Sequence, residues 1–291
     1  IKSYQKNLPR TDSFYDCLDL KTKLLSQGVR ISKEAEQKMQ KEIIRKGTYS
    51  SLDIYIRSDL IINAPFELKL CSMSPFEIHF EKNDFLLMYA GKEICPIHLD
   101  RKESFCNLKT KTGIKYEDLS FLATDRLRLH HSFGCFFKRN NCGCSFCDVP
   151  AGVPDFNIKD LIEVIDWHIA NSKFRHILIG GGSEQRSTEY IRIIEIIQYL
   201  RSKTDKPIYL MALPPKNIEI LSKYYNAGID EIAFNIEIFD NSLRKKYISG
   251  KGSISLEIYK ETLLKAVELW GNTGSVKSSI LYGLESDTSL L

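Results

Sequence analysis

The sequence has no long hydrophobic run and no block of like charge. No segment approaches the roughly 18 consecutive apolar residues that a membrane-spanning helix requires. The first residues, IKSYQKNLPRTDSFYDCLDL, lack the apolar stretch of an export signal. The 41 basic and 37 acidic residues are dispersed and leave a net charge of +4. These features predict a soluble, cytoplasmic protein without a membrane partner, and they give no support to a nucleic-acid-binding surface.

The composition is that of a folded globular chain. Of the 291 residues, 43% are hydrophobic and 27% are charged, which argues against disordered, collagen-like and coiled-coil architectures. The length allows one large domain or a large domain with a smaller neighbour, because single cores stop growing near about 250 to 300 residues. The chain begins with Ile1 and ends at Leu291 in mid-pattern. We therefore expect it to be a piece of a longer protein.

The cysteines carry the most information. Four of the eight fall within 13 residues, whereas the others are scattered. The clustered cysteines are Cys135, Cys142, Cys144 and Cys147, and the scattered ones are Cys17, Cys71, Cys95 and Cys106. A chain this large, without an export signal, is not a typical disulfide scaffold. Because thiolates are soft ligands, the cluster predicts a zinc or iron-sulfur site.

Strands and helices alternate after residue 126. Strands are predicted at 127–133, 176–179, 207–213, 232–239 and 276–282, and helical stripes of apolar residues lie between them. One of these helices can begin after Asn157, and another can end at Gly228. This alternation is typical of parallel βα units, and it predicts an α/β partial barrel over residues 126–291. In such barrels the chemistry lies at the carboxyl ends of the strands.

Residues 1–125 have a different pattern. Helices are predicted around Leu18–Leu25 and Ser32–Arg45, and alternating apolar residues predict strands over Phe66–Leu70 and Phe76–Phe80. We interpret this segment as a smaller α+β domain that is an accessory to the barrel or recognises its substrate. A domain that docks a peptide substrate is one form that it could take.

The segment Cys144-Ser145-Phe146-Cys147 resembles the second half of the radical S-adenosylmethionine (radical SAM) signature, C-x3-C-x2-C with an aromatic residue before the last cysteine. The resemblance covers roughly residues 127–291 and implies a (β/α)6 TIM-type barrel, of which the sequence shows five strands. Cys135 stands at the end of the first predicted strand, where the family has its first ligand. The implied metal ligands are therefore Cys135, Cys144 and Cys147, with the unusual spacing C-x8-C-x2-C, and Cys142 remains a rival first ligand.

The same resemblance implies residues that bind S-adenosylmethionine. Gly181, Gly182 and Glu184 belong to a stretch similar to the one whose backbone meets the methionine amine. Asn235 and Glu237 resemble the pair that reaches the ribose, and Ile280 and Gly283, followed by Glu285, resemble the motif near adenine. Phe146 is the aromatic residue of the signature. Arg244 is a candidate for the methionine carboxylate, and Thr262 stands where the biotin synthase subgroup has an arginine.

The family chemistry would then be expected of this chain. A [4Fe-4S] cluster held by three cysteines leaves one iron for S-adenosylmethionine, which is cleaved reductively to a 5'-deoxyadenosyl radical. That radical removes hydrogen from a small-molecule or peptide substrate. An electron donor such as flavodoxin or ferredoxin is the expected partner. Sulfur insertion of the biotin synthase type is an alternative outcome.

Other interpretations remain open. All four clustered cysteines could close a zinc site in a structural or nucleic-acid-binding module, since zinc accepts four thiolates tetrahedrally. The chain could also be an ordinary βα-barrel enzyme with a redox-sensitive loop. The scattered cysteines could bind an auxiliary cluster, although they are more simply ordinary buried or surface residues. His130, His131, Ser279 and Tyr282 are further candidates to line the site.

Overall fold

We describe the fold from a computed structural model of the chain. It describes residues 11, 13–42, 44, 51–57, 60–66, 69–100, 102–123, 125–132, 134–147, 149, 151, 156–184 and 189–285. The chain divides into two compact units, Ile1–Ser104 and Phe105–Leu291.

The first unit combines helices with a mainly antiparallel sheet. Its elements are α1 (Phe14–Gln27), β1 (Arg30–Ile31), α2 (Lys33–Glu42), β2 (Ser51–Arg57), β3 (Leu60–Pro65), β4 (Phe76–Glu81), β5 (Asp84–Tyr89) and β6 (Lys92–Leu99). The strands form one sheet in the order β1-β4-β5-β6-β2-β3. Among these described pairings, β1 with β4 is the parallel one.

Local signals explain several boundaries in this unit. The Ser13 hydroxyl accepts a hydrogen bond from the backbone of Asp16, which begins α1 with a capping box. Lys82 and Asn83 have φ angles of 49° and 77° in the turn between β4 and β5. The predicted strand over 66–70 is wrong where it can be checked, since a 3-10 helix spans Lys69–Met73; Leu68 lies outside the described residues.

The second unit contains the alternation of strands and helices. Its elements are α3 (Tyr116–Leu119), β7 (Ser120–Ala123), β8 (Arg126–His130), α4 (Phe136–Arg139), α5 (Ile158–Asn171), β9 (His176–Gly180), α6 (Glu189–Arg201), β10 (Ile208–Met211), α7 (Ile220–Ala227), β11 (Glu231–Ala233), α8 (Asn241–Tyr247), α9 (Leu256–Trp270) and β12 (Val276–Lys277). The sheet order is β12-β11-β10-β9-β8-β7. All pairings from β8 to β12 are parallel, which confirms the predicted α/β partial barrel.

The helices of this unit cover one face of the sheet. Leu127 and Leu129 of β8 and Ile177 and Ile179 of β9 belong to one buried hydrophobic core with residues of the helices. Because side chains alternate along a strand, the residues between them lie on the opposite, concave face.

Three features of the second unit differ from the prediction. The antiparallel strand β7 pairs with β8 at the sheet edge and has no counterpart in the predicted series. The predicted strands at 232–239 and 276–282 are shorter, since β11 ends at Ala233 and β12 ends at Lys277. Glu237 has a φ of 66°, which is outside the extended region. A single bridge between Glu237 and Ile280 continues the pairing beyond that point.

The boundary between the two units lies between Ser104 and Phe105, earlier in the chain than the predicted boundary at residue 125. Phe105, Tyr116, Leu119 and Leu122 are buried in the core of the second unit. These side chains explain why the segment that follows Ser104 packs with the barrel. Among the described residues, no helix combines the length and the apolar character needed to cross a membrane.

Asn157 provides a test of the local signals. Its side-chain oxygen accepts a hydrogen bond from the Lys159 backbone at 3.0 Å, and its own backbone donates to Asp160 at 3.2 Å. Because this capping box satisfies two otherwise unpaired N–H groups, Asn157→Ala should lower the free energy of unfolding by about 1 kcal/mol. Urea denaturation with an unchanged m-value measures the effect. The exposed neighbour substitution Lys159→Ala is the control, and equal midpoints for the two variants would contradict the capping role.

Candidate functional site

The loop that contains the clustered cysteines begins beyond the carboxyl end of β8. Cys135 is the residue before α4, and the remaining cysteines follow that short helix. The Cys142 backbone donates to the Phe137 carbonyl at 2.8 Å and accepts from the Gly250 backbone at 2.8 Å. The Ser145 backbone donates to the Tyr247 carbonyl at 2.8 Å. The segment after α8 therefore holds the middle of the cysteine loop in place.

Two of the other clustered thiols act electrostatically on Cys144. Burial raises the pKa of Cys144 to about 11; Lys251 opposes this rise, whereas Cys147, Glu237 and Cys135 add to it. Because such effects are largely screened beyond about 10 Å, Cys135 and Cys147 are neighbours of Cys144 at that range. Cys142 differs, because its thiol donates to the Phe137 carbonyl at 3.3 Å. Of the three cysteines that the sequence predicts as ligands, Cys135 and Cys147 thus act electrostatically on Cys144, whereas the fourth thiol, Cys142, bonds to a carbonyl of its own loop.

These cysteines fit an iron-sulfur cluster by their chemistry. Within the described ranges, no group of three or more His, Cys, Asp or Glu side chains is already arranged to hold a metal ion. The donors are nevertheless thiols on one loop, which is the ligand type that such clusters use. Three thiolates on a four-iron cluster would leave one iron open. The raised pKa of Cys144 means that ligation must release its proton.

The glycine-rich loop after β9 packs directly on the cysteine loop. The Phe136 backbone donates to the Ser183 carbonyl at 2.7 Å, and the Ser132 hydroxyl donates to the carbonyls of Gly134 and Gly182. A Cβ atom on Gly182 would lie 2.4 Å from the Gly134 carbonyl oxygen and 2.6 Å from Cys135 Cβ. Gly182 is therefore required for the close approach of the two loops, which places the predicted cofactor residues beside Cys135.

Glu184 occupies a buried electrostatic network rather than open space. Its carboxylate pairs with Arg192 at 3.1 Å, and its backbone donates to Glu189 at 3.2 Å. His131 is buried 3.6 Å from Glu189, and burial lowers the pKa of His131 to about 4, with His130 and Arg192 adding to the shift. The network connects the glycine-rich loop to α6.

The two polar residues after β11 form hydrogen bonds with the segment that follows β12. Asn235 accepts a hydrogen bond from the Ser279 backbone at 3.1 Å through its side-chain oxygen. The Glu237 backbone pairs on both sides of Ile280, donating to Ser279 at 2.9 Å and accepting from Leu281 at 2.8 Å. The Glu237 carboxylate accepts from Lys251 at 2.9 Å, and both side chains are about one-tenth exposed. This ion pair lies beside Cys144.

Lys251 is a site residue that the sequence analysis misses. It follows α8 between two glycines and has no periodic or motif signal that separates it from the other lysines. Its ammonium group is nevertheless the positive charge that lowers the pKa of Cys144 against the effect of burial.

The predicted adenine segment is partly exposed. Ile280 is 48% exposed, and Gly283 has a φ of 90° with open space around its missing Cβ. Glu285 is buried and accepts backbone hydrogen bonds from Phe239, at 2.9 Å, and from Asp240. Phe146 is 40% exposed on the cysteine loop. These residues therefore line the same end of the sheet as the cysteines without enclosing it.

Arg244 is engaged by the protein itself. It is 1% exposed and donates to the carbonyls of Ile238 and Ile254, each at 2.8 Å, and its guanidinium lies over the Tyr259 ring. These bonds fix α8 and the residues that follow it. Thr262 is likewise buried on α9.

The scattered cysteines do not join the candidate site. Cys17, Cys71 and Cys95 are buried in the first unit, and Cys106 is buried in the core of the second. Burial raises the pKa of Cys95 to about 11, with Cys17 and Glu93 adding to it. Cys71 packs against Gly28, where a Cβ atom would lie 2.3 Å from its sulfur. Each has the surroundings of an ordinary core residue.

Comparison with known proteins gives a family match over most of the barrel unit. A family model described as the radical SAM superfamily matches residues 129–289. No curated protein matches the chain. Similar solved structures include HydG, a maturase of the [FeFe]-hydrogenase, at 14% identity and a TM-score of 0.43, covering 56% of this chain and 36% of that one.

Two further similar structures are those of enzymes. Methylornithine synthase (PylB) is 19% identical with a TM-score of 0.43, covering 63% of this chain and 55% of that chain. Coproporphyrinogen III oxidase (HemN) from Escherichia coli is 17% identical with a TM-score of 0.39, covering 56% of this chain and 38% of that chain. The chain thus spans 36% to 55% of the length of these structures.

A substitution at Gly182 tests the contact between the glycine-rich loop and the cysteine loop. Gly182→Ala should destabilise the chain by about 1 to 3 kcal/mol, because the new methyl group overlaps the Gly134 carbonyl and Cys135. We expect less iron bound per chain after anaerobic reconstitution, since Cys135 must shift. Gly180→Ala is the matched control, because its Cβ would meet only Met211 at 4.0 Å. Thermal unfolding and iron analysis that fail to distinguish these variants would remove the steric argument.

Proposed function

The chain belongs to the radical SAM superfamily, and from that premise we propose that it is an enzyme that cleaves S-adenosylmethionine at a [4Fe-4S] cluster held by Cys135, Cys144 and Cys147. When bound, these two cofactors supply a 5'-deoxyadenosyl radical that removes hydrogen from a substrate. The single observation that carries the proposal is that Cys135 and Cys147 both act electrostatically on the Cys144 thiol, whereas the Cys142 thiol bonds to the Phe137 carbonyl.

The residues around the cysteines have distinct proposed roles. Gly181 and Gly182 bring the loop after β9 against Cys135 and present backbone groups to the methionine amine. Asn235 and Glu237 serve the ribose, while Ile280 and Gly283 lie against adenine. Their support is that the Glu237 backbone pairs directly with the segment around Ile280, so the ribose and adenine residues share one edge.

Lys251 would hold Glu237 in position. The 2.9 Å ion pair is largely shielded from water, and the alternative for either charge is burial without a partner. The Glu237 carboxylate is therefore held in one orientation, as an acceptor for hydroxyl groups requires. Glu184 has an equivalent support in Arg192.

The remaining parts of the proposal concern partners. We propose that the first unit is an accessory or substrate-recognition domain and that the second, with the cysteines, takes electrons from a donor such as flavodoxin or ferredoxin. The substrate is a small molecule or a peptide. Sulfur insertion of the biotin synthase type rests on sequence likeness alone and stays a prediction.

A four-thiolate zinc site is the competing use of the same loop. It requires Cys142 as the fourth ligand, but this thiol is bonded to the Phe137 carbonyl at 3.3 Å, and its backbone is fixed by Phe137 and Gly250. No described interaction groups Cys142 with Cys144. The superfamily match also favours the open, three-cysteine cluster.

Single cysteine substitutions separate these two uses. After anaerobic reconstitution, wild type and Cys142→Ala should each bind about four irons per chain and form 5'-deoxyadenosine from S-adenosylmethionine and dithionite. Cys135→Ala, Cys144→Ala and Cys147→Ala should lose the nucleoside product by more than about 100-fold, because each removes one cluster ligand. Metal analysis and chromatography provide the two readouts.

The opposite pattern would overturn the proposal. Zinc without iron in the wild type, with equal loss of metal in all four variants, would indicate a closed zinc site. A fully loaded cluster that yields no more 5'-deoxyadenosine than Cys144→Ala would remove the radical chemistry even if iron is bound.

A further inference from the structure

The concave face of the barrel sheet carries an unusual charge. We define this face by the residues that alternate with the helix-facing core and share register across the strands. They are Phe121, Ala123, Arg126, Arg128, His130, His176, Leu178, Gly180, Tyr209, Met211, Glu231, Ala233 and Lys277. In a partial barrel this face lines the interior below the candidate site.

Two arginines of β8 are unpaired at buried atoms. The Nε atoms of Arg126 and Arg128 are shielded from solvent and have no hydrogen-bond partner in the described part of the chain. A buried donor without an acceptor destabilises a protein, and the cost is larger when the group is charged. A bound acceptor would remove this penalty.

The neighbours in the sheet offer no such acceptor. Arg128 lies in register between Phe121 and Leu178, and both are apolar. Arg126 lies between Ala123 and His176. Burial, with Arg126 and Arg175 adding to it, lowers the pKa of His176, whereas Asp125 and Glu231 oppose the shift. The His176 ring makes no hydrogen bond to the Nε atom of Arg126. No carboxylate flanks either arginine across the described ladder.

The nearby carboxylates already have partners. Glu231 on the concave face pairs with Lys277. Asp125, at the start of β8, pairs with Arg175. Counting only side chains of the concave face, three cations face one anion, since Arg126, Arg128 and Lys277 oppose Glu231 alone. The two arginines of β8 therefore carry the uncompensated positive charge of this surface.

The titration of His130 is consistent with this field. Burial, together with the charge of Arg128, lowers its pKa to about 4, while a hydrogen bond with the Asp118 carbonyl opposes the shift. The imidazole two residues along the strand is thus kept neutral beside Arg128. The charge of Arg128 therefore disfavours a second positive charge on this part of the face.

We propose that Arg126 and Arg128 form the binding site for a carboxylate or phosphate group of the substrate. A guanidinium presents Nε and Nη donors as a planar fork that matches such oxyanions in a bidentate manner. The assignment as a substrate site, rather than an anion site of another kind, rests on the function proposed above. It narrows the substrate class to anionic molecules.

The geometry above Arg128 leaves room for the remainder of such a molecule. His130 and Gly180 share the next level of the concave face, about 7 Å nearer the carboxyl ends of the strands. A Cβ atom added to Gly180 would meet only Met211 Cβ, at 4.0 Å. A substrate anchored at Arg128 would therefore extend past Gly180 toward the cysteine loop, where the reacting carbon is needed.

Anion binding can be measured without turnover. The anaerobically reconstituted full chain, labelled with 15N at arginine Nε, is titrated with inorganic phosphate in one series and acetate in another, at constant ionic strength with chloride. Arg126→Gln and Arg128→Gln assign the two signals. We expect the arginine Nε signals to shift until they saturate, with dissociation constants of about 1 mM. Arg128→Gln should raise the dissociation constant at least 10-fold. Saturation by only one of the two anions identifies the anionic group and also supports the site.

Two further variants keep the test decisive. Arg128→Lys preserves the charge and should retain weaker binding if Arg128→Gln fails to fold. Lys159→Gln removes an equal charge from an exposed side chain of α5, and its binding should match wild type. Shifts that do not saturate, or that are equal in wild type and Arg128→Lys, would overturn the anion site.

The same samples separate this inference from the proposed function. Wild-type protein that forms 5'-deoxyadenosine but binds neither anion would contradict the arginine site alone. Saturable anion binding in protein that forms no 5'-deoxyadenosine would contradict the radical chemistry and leave an anion site whose ligand is not a radical substrate.

Discussion

The candidate site depends on a contact between two backbones that leaves no room for a side chain. The loop after β9 approaches the loop after β8 so closely that any Cβ on Gly182 would overlap the Gly134 carbonyl and Cys135. Hydrogen bonds from Phe136 and Ser132 cross the same gap. A parallel sheet brings its strand ends to one edge, but this contact determines where the first cysteine lies along that edge. The remaining cysteines are then positioned from the other side by the segment after α8.

Charge is arranged around this contact in compensated pairs, with one exception. Glu237 with Lys251 and Glu184 with Arg192 are partly or largely buried ion pairs, so each can present a fixed carboxylate to the site. The exception is the pair Arg126 and Arg128 on the concave face, whose Nε atoms have no hydrogen-bond partner among the described residues. The paired charges thus lie near the cysteine loop, at the carboxyl ends of the strands. The unpaired arginines lie further toward the start of β8, where we propose that they bind an anionic ligand.

Much of the barrel could be predicted because its signals are local. Asn157 begins α5 through bonds to residues within three positions, and Gly228 ends α7 with a φ of 105°. The site is harder to predict from the sequence, because its contacts join segments that are far apart in the chain. Gly182 was assigned to cofactor approach from its motif, whereas its steric requirement comes from Gly134, which only the folded chain brings near. Lys251 had no signal at all, because its partner lies 14 positions earlier in another element.

A series of hydrogen bonds connects Glu285, in the segment after β12, to the cysteine loop. Its carboxylate holds the backbone of Asp240, which in turn caps α8, and the last residue of that helix, Tyr247, holds Ser145. About two turns of helix thus connect two loops that are far apart in sequence. Because Glu285 is bonded at the beginning of this helix and Ser145 at its end, the position of the segment after β12 and that of the cysteine loop are coupled through one rigid element.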